Sequence, residues 1–204
     1  MIVKICGLKK AADVQAAVNN GADMIGFVFA KSRRQVSIEE AQQLAQQIPA
    51  SVKKVGVFVN PTEEELIEAI QKVPLDIVQL HGQESPEQAN RTDVEVIKAF
   101  PVKNGELPNN IKDYPHAYIL LDAPALEYEG GSGKTFDWEK INANLLTNKK
   151  LIIAGGLNNT NVTEAIARFA PFAVDISSGV ETAGEKDPEK IKKFIKIAKG
   201  DDVL

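Results

Sequence analysis

Apolar residues recur along this chain in short, β-branched runs separated by longer amphipathic stretches. The runs fall at residues 2–6, 24–29, 54–59, 75–80, 94–100, 117–122, 151–154 and 172–176. Nearly continuous apolar runs of this length suit strands buried on both faces. Between most of them the apolar positions follow helix spacing, at 11–19, 38–47, 63–72, 86–91, 137–146, 161–169 and 188–199, and the connection at 105–114 is the weakest helix candidate. Capping chemistry marks several starts: Ser37 with Glu40 three residues on, Ser85 before Pro86, and Asp187 before Pro188. Strands that alternate with helices pair in parallel through right-handed crossovers, and about eight such units let the sheet close on itself. The pattern predicts one domain over residues 1–204, an α/β fold of the (β/α)8 TIM-barrel type with parallel strands inside and helices outside. An open doubly wound sheet is the structural alternative.

Composition narrows the partners. Apolar residues make up 44% and charged residues 25%, the balance of a globular chain. The formal net charge is -4, and no Lys/Arg cluster interleaves with aromatics, so nucleic acid is not an expected partner. No apolar run approaches the roughly 20 residues of a membrane span, and the start shows no basic region followed by an apolar one, which predicts a cytoplasmic protein without a membrane partner. The two histidines, His81 and His116, lie near no second soft ligand in sequence, which argues against a metal. Nothing in the pattern sets an oligomeric state.

Candidate chemistry sits at strand ends. Cys6 closes the run IVKIC and Asp122 closes YILLD, the positions from which a parallel β/α protein presents reacting groups. A thiol and a carboxylate so placed suggest a general base and a general acid, against the plainer readings of a buried cysteine and a turn residue before Pro124. Cys6 is the only cysteine, so no internal disulfide competes for it. Period-two alternation puts Lys4 on the same side as Cys6, where its ammonium can favour a thiolate or pair with an inward Asp175. A carboxylate held among few waters in a barrel mouth has its pKa raised, which suits Asp122 to proton donation.

Two glycine-containing loops follow the last two strands. Gly155 and Gly156 permit close backbone approach, and Ser177, Ser178 and Gly179 precede a segment able to open a short helix; such loops frequently hold phosphate. The stretch GGSGKTFDW at 130–138 is not a P-loop, because the first required glycine falls on Tyr128. It reads instead as a glycine-rich loop beyond Asp122 that can fold over a ligand. Arg33 and Arg34 lie after the second run, where a guanidinium can fork onto a carboxylate, and His81 leaves the fourth run.

Taken as an ordered set, KICG, GADMIGFVF with SRRQV, VGVFVN, DIVQLHGQE, LLDA, GGSGKTFDW, AGGLNNTNV and DISSGVET with GEKD resemble the phosphoribosylanthranilate isomerases, over nearly the whole chain. The resemblance implies an Amadori rearrangement of a small phosphoribosyl substrate, with Asp122 as acid, Cys6 as base and no cofactor. It also implies Arg34 at the anthranilate carboxylate, Gly155, Gly156, Ser178 and Gly179 at the phosphate, and Asp175 and His81 as polar groups around the pocket. The chain departs from the family pattern at Lys9, where Thr is frequent, and at Arg33 and Asn159, where Pro is frequent. Arg33 leaves open which guanidinium meets the carboxylate. A related barrel isomerase using paired aspartates, and a non-catalytic phosphate-binding barrel, are the competing readings.

Overall fold

The computed structural model describes residues 1–102, 106–114, 118–122, 146 and 148–201. Eight strands, β1 (Ile2–Cys6), β2 (Met24–Val28), β3 (Lys53–Phe58), β4 (Ile77–Leu80), β5 (Glu95–Pro101), β6 (Tyr118–Asp122), β7 (Lys150–Ala154) and β8 (Ala173–Ile176), form a closed barrel in chain order. Every neighbouring pair is parallel, and β8 closes on β1 with Ile2 opposite Ala173 and Lys4 opposite Asp175. The alternation of side chains divides the core. Met24, Val55, Ile77, Ile97, Leu120 and Ile152 fill the barrel interior, while Val3, Ile5, Ile25, Phe27, Val78 and Ile119 face the helix layer. Strands covered on both faces must be apolar on both, which is why they read as runs without alternation.

Helices α1 (Ala11–Asn19), α2 (Ile38–Ala45), α3 (Glu63–Lys72), α4 (Pro86–Ala89), α5 (Val162–Phe169) and α6 (Pro188–Lys199) lie between strands or after the last one. The expected caps form: Ser37 and Ser85 each accept from the backbone amide three residues on, and each donates its own backbone amide to that residue's side-chain oxygen. Asp187 starts α6 by accepting from the amides of Glu189 and Lys190, a contact worth about 1 kcal/mol. That helix buries Ile191, Phe194, Ile195 and Ala198 on one face and stops at Gly200, whose φ of 81° few other residues adopt. Truncating Phe194 to alanine would cost about 3–5 kcal/mol, because its side chain is fully enclosed.

Some boundaries differ from the pattern. The fourth strand begins at Ile77, since Asp76 turns its carboxylate onto the amide of Lys54. The fifth runs one residue later than expected, to Pro101. Helix α4 stops at Ala89, where Asn90 and the polar residues after it offer no further apolar face. The weak candidate at 105–114 is a 3₁₀ turn, Asn109–Asp113. The expected helix at 137–146 lies outside the described residues except for Leu146, and the loop at 130–138 lies wholly outside them.

One element was not anticipated. After β8, a 3₁₀ turn at Ser178–Val180 leads into a two-stranded antiparallel hairpin, β9 (Glu181–Thr182) and β10 (Glu185–Lys186). Its two-residue turn has Ala183 at φ 50° and Gly184 at φ 86°, the sign of backbone twist that tight hairpins need. The short helix expected after Ser177, Ser178 and Gly179 is the 3₁₀ turn Ser178–Val180, and α6 spans Pro188–Lys199 as the pattern predicts.

Candidate active site

The strands deliver a set of polar side chains to one end of the barrel. Inward positions on β1 are Lys4 and Cys6, on β4 Gln79, on β6 Asp122 and on β8 Asp175, each two or four residues along its strand from an apolar interior position; His81 follows two residues after Gln79. This is the carboxyl end, where β/α barrels carry chemistry.

Cys6 is buried, and Lys4 behind it is fully so. The Lys4 Nζ lies 3.0 Å from Asp175 Oδ2. Gly26 makes room for both Lys4 and Cys6: a Cβ there would fall 2.9 Å from Cys6 Sγ and 3.2 Å from Lys4 Nζ. Burial pushes the Cys6 thiol above its ordinary pKa, and the Lys4 ammonium is the strongest influence opposing that, while Asp175 adds to it. For Lys4, burial works toward the neutral amine, but Asp175 and then Cys6 outweigh it and hold the ammonium above its usual value. Lys4 thus does both things the sequence left open, pairing with Asp175 and standing beside the thiol. The second Asp175 oxygen, Oδ1, is buried without a hydrogen-bond partner among the described residues.

Asp122 and His81 meet at the mouth. His81 Nε2 is 3.1 Å from Asp122 Oδ2, and its other ring nitrogen is 3.1 Å from Gln79 Nε2. The desolvation expected of Asp122 is not what the structure shows: its side chain is 39% exposed, because it ends β6 at the rim rather than within the barrel. Among the described residues, no group of His, Cys, Asp and Glu is arranged to hold a metal ion.

Arg34 crosses over Gly7, where a Cβ would collide with its Cδ at 2.6 Å. Its Nε and Nη2 donate to the two oxygens of Glu181 at 2.7 and 3.1 Å, a parallel fork. The hairpin register places Lys186 opposite Glu181, and this lysine donates to the same carboxylate at 2.9 Å and to the Ser177 carbonyl at 2.8 Å. Ser177 in turn donates through Oγ to the Cys6 carbonyl at 3.0 Å. Arg33 also reaches Glu181, but from a more exposed position, and its own carbonyl accepts from Lys9, so these two departures from the expected pattern touch each other. Of the two arginines, Arg34 is the deeper.

The two glycine-containing loops come together. Gly155 and Gly156 turn the chain after β7 at φ 80° and 63°. Gly179 presses on that loop so closely that a Cβ would sit 1.9 Å from the Leu157 carbonyl, beside Ser178. Gln79, Glu181 and Lys186 were missed in the sequence. Alternation pointed to Gln79, two residues before His81 on the same face; nothing local announced the hairpin.

A closed parallel barrel with a thiol, a carboxylate and two converging glycine loops at its carboxyl end is the frame of a phosphosugar isomerase. The chain belongs to the N-(5'-phosphoribosyl)anthranilate isomerase family, whose model matches residues 3–197. It is 79% identical over 200 residues to N-(5'-phosphoribosyl)anthranilate isomerase of Listeria monocytogenes serotype 4a (strain HCC23), covering 98% of this chain and 99% of that one. The crystal structure of phosphoribosyl anthranilate isomerase from Thermotoga maritima is similar at 44% identity and a TM-score of 0.83, covering 98% of this chain and all of the other. A further isomerase crystal structure, in complex with reduced 1-(o-carboxyphenylamino)-1-deoxyribulose 5-phosphate, matches at 40% identity and a TM-score of 0.81, covering 98% of this chain and 100% of that one. Among the described residues no helix is long and apolar enough to cross a membrane.

Proposed function

We propose that Asp122 and Cys6 carry the acid and base steps of the reaction this isomerase of tryptophan biosynthesis performs, the conversion of N-(5'-phosphoribosyl)anthranilate to 1-(2-carboxyphenylamino)-1-deoxyribulose 5-phosphate. Asp122 gives its proton to the furanose ring oxygen as the C1' to oxygen bond breaks, leaving a cationic Schiff base. That cation acidifies the C2' proton, which Cys6 removes, and the resulting enol amine tautomerises to the ketone.

The arrangement that carries this reading is the thiol beside a lysine ammonium at the same barrel end as a carboxylate bound to His81. Because burial favours the neutral thiol, a base there needs positive charge, and Lys4 and the iminium of the opened sugar are two sources of it. Arg34 has a guanidinium edge beyond its Glu181 fork for the anthranilate carboxylate. In this reading Gly155, Gly156, Ser178 and Gly179 take the phosphate, and the Asp175 oxygen that has no partner among the described residues is available to a sugar hydroxyl, with His81 beside the acid. The reaction runs without a cofactor, in a single domain, in the cytoplasm.

The test is turnover of Asp122→Asn and Cys6→Ala with substrate generated in situ. Each variant should lose about two orders of magnitude or more in kcat while still binding a reduced product analogue. Near-normal turnover in either variant removes that residue from its role.

A further inference from the structure

The acid Asp122 is reached from inside the barrel by a two-step chain that the proposed chemistry has not used. His81 Nε2 meets Asp122 Oδ2 at 3.1 Å, and His81 Nδ1 meets Gln79 Nε2 at 3.1 Å. Gln79 is 1% exposed, and its Oε1 is buried with no hydrogen-bond partner among the described residues. An amide that is fully enclosed, bonded at its nitrogen and unbonded at its oxygen departs from the rule that buried polar atoms are paired. Its bonded end also decides a proton position. An amide NH2 only donates, so the Nδ1 facing it holds a lone pair, and the ring proton then sits on Nε2, aimed at the Asp122 carboxylate. That state suits Asp122 after its proton has gone to the sugar. Turning the amide by half a rotation sacrifices no bond at Oε1, presents that oxygen to an Nδ1 proton, and leaves an Nε2 lone pair to accept from a protonated Asp122. That second state suits the acid before transfer.

We propose that Gln79 is a positioning residue that sets the tautomer of His81 and, through it, the protonation state of Asp122. The proposal rests on Asp122 being the acid. Asp122 is faced by His81, just past the end of β4, and by Asp175 from β8, with Lys4 of β1 paired to Asp175 behind it. Gln79 is the neutral member of this group whose two ends impose opposite tautomers, so it can serve either state of Asp122 without adding charge of its own.

The experiment is nitrogen NMR of the histidine rings in the full chain, which has only His81 and His116 to assign. In the wild type His81 should show a bare Nδ1 and a protonated Nε2. In Gln79→Glu, whose carboxylate only accepts, Nδ1 should carry the proton, and in Gln79→Met, which preserves the volume without either bond, the two tautomers should mix. The rate readout is the pH profile. With Gln79→Glu the limb on which activity falls as Asp122 loses its proton should move to higher pH, because both the acceptor ring and the added negative charge favour the protonated acid. With Gln79→Met kcat should fall about tenfold with KM little changed. An unchanged His81 tautomer in both variants overturns the proposal. If Asp122→Asn retains turnover while the tautomer still follows residue 79, the acid assignment fails and the control of His81 by Gln79 stands.

Discussion

Two of the buried lysine–carboxylate pairs among the described residues have very different surroundings. Lys4 and Asp175 meet at 3.0 Å inside the barrel, and Lys98 and Glu84 meet at 2.9 Å outside it, between the strands and the helix layer. The outer pair is saturated. Lys98 Nζ also donates to the carbonyl of Gly82 at 2.8 Å and lies near those of Leu80 and Ala99 at 3.3 Å, while Glu84 accepts from the amides of Asn60 and Gly82. The inner pair is not: one Asp175 oxygen has no partner among the described residues, and the ammonium has a thiol for its other neighbour. Full satisfaction fixes the β3 and β4 loops in one arrangement. Incomplete satisfaction, next to a group that can ionise, leaves room for substrate and for a proton to move.

The largest effect that would break this comparison is on stability. Lys98→Met leaves the enclosed Glu84 carboxyl without its ion-pair partner, and should cost about 3–5 kcal/mol by urea unfolding. A loss well under 1 kcal/mol would remove the structural role of the outer pair. Lys4→Met should cost less stability, because burial already drives the Asp175 carboxyl toward its protonated form and it can neutralise when its partner is gone. Its main effect should be on turnover, a fall in kcat of about tenfold or more, with the rise of activity on the alkaline side displaced upward in pH. Equal damage to stability from both lysine variants would erase the distinction.

The Glu181 cluster is a third, intermediate case, partly saturated and partly open. Arg34→Ala should raise KM about tenfold with a smaller change in kcat, read from initial rates, whereas Arg33→Ala should leave KM nearly unchanged. The smallest effect concerns pH. Burial pushes the Glu181 carboxyl up, but hydrogen bonds from Arg34 and Lys186 together outweigh it and hold its pKa below the ordinary value. Its contribution to stability is therefore present above the usual glutamate range and is lost as pH falls through the depressed folded value. Glu181→Gln should flatten that part of the stability curve by under about 1 kcal/mol, seen in urea midpoints measured from neutral to acid pH.

Much of the fold could be read from the residues, for a physical reason. A parallel barrel covers both faces of every strand, so each strand announces itself as an apolar run, and the caps at Ser37, Ser85 and Asp187 mark where helices begin. Cys6 and Asp122 were visible because strand ends are where polar residues interrupt such runs. What stayed hidden depends on contacts between distant segments. Nothing near Glu181 predicts that Arg34, 147 positions away, will fork onto it, and the hairpin that pairs it with Lys186 rests on Ala183 in a conformation alanine rarely takes. The openness of Asp122 was misread because a run that ends in an acid does not say how far the strand projects past its neighbours. Nothing near Glu84 or Lys98 announces their pairing, which joins segments that lie apart in the chain.

The most direct test of the difference between the two pairs is the ultraviolet thiolate absorbance of Cys6 against pH, taken as a difference from Cys6→Ala, in the wild type, Lys4→Met and Lys98→Met. The chain has one cysteine, so the signal is that of the site alone. Loss of the Lys4 ammonium should move the thiolate midpoint to higher pH, and loss of Lys98 should leave it in place. An unmoved midpoint in Lys4→Met would contradict the assignment of the inner pair to catalysis.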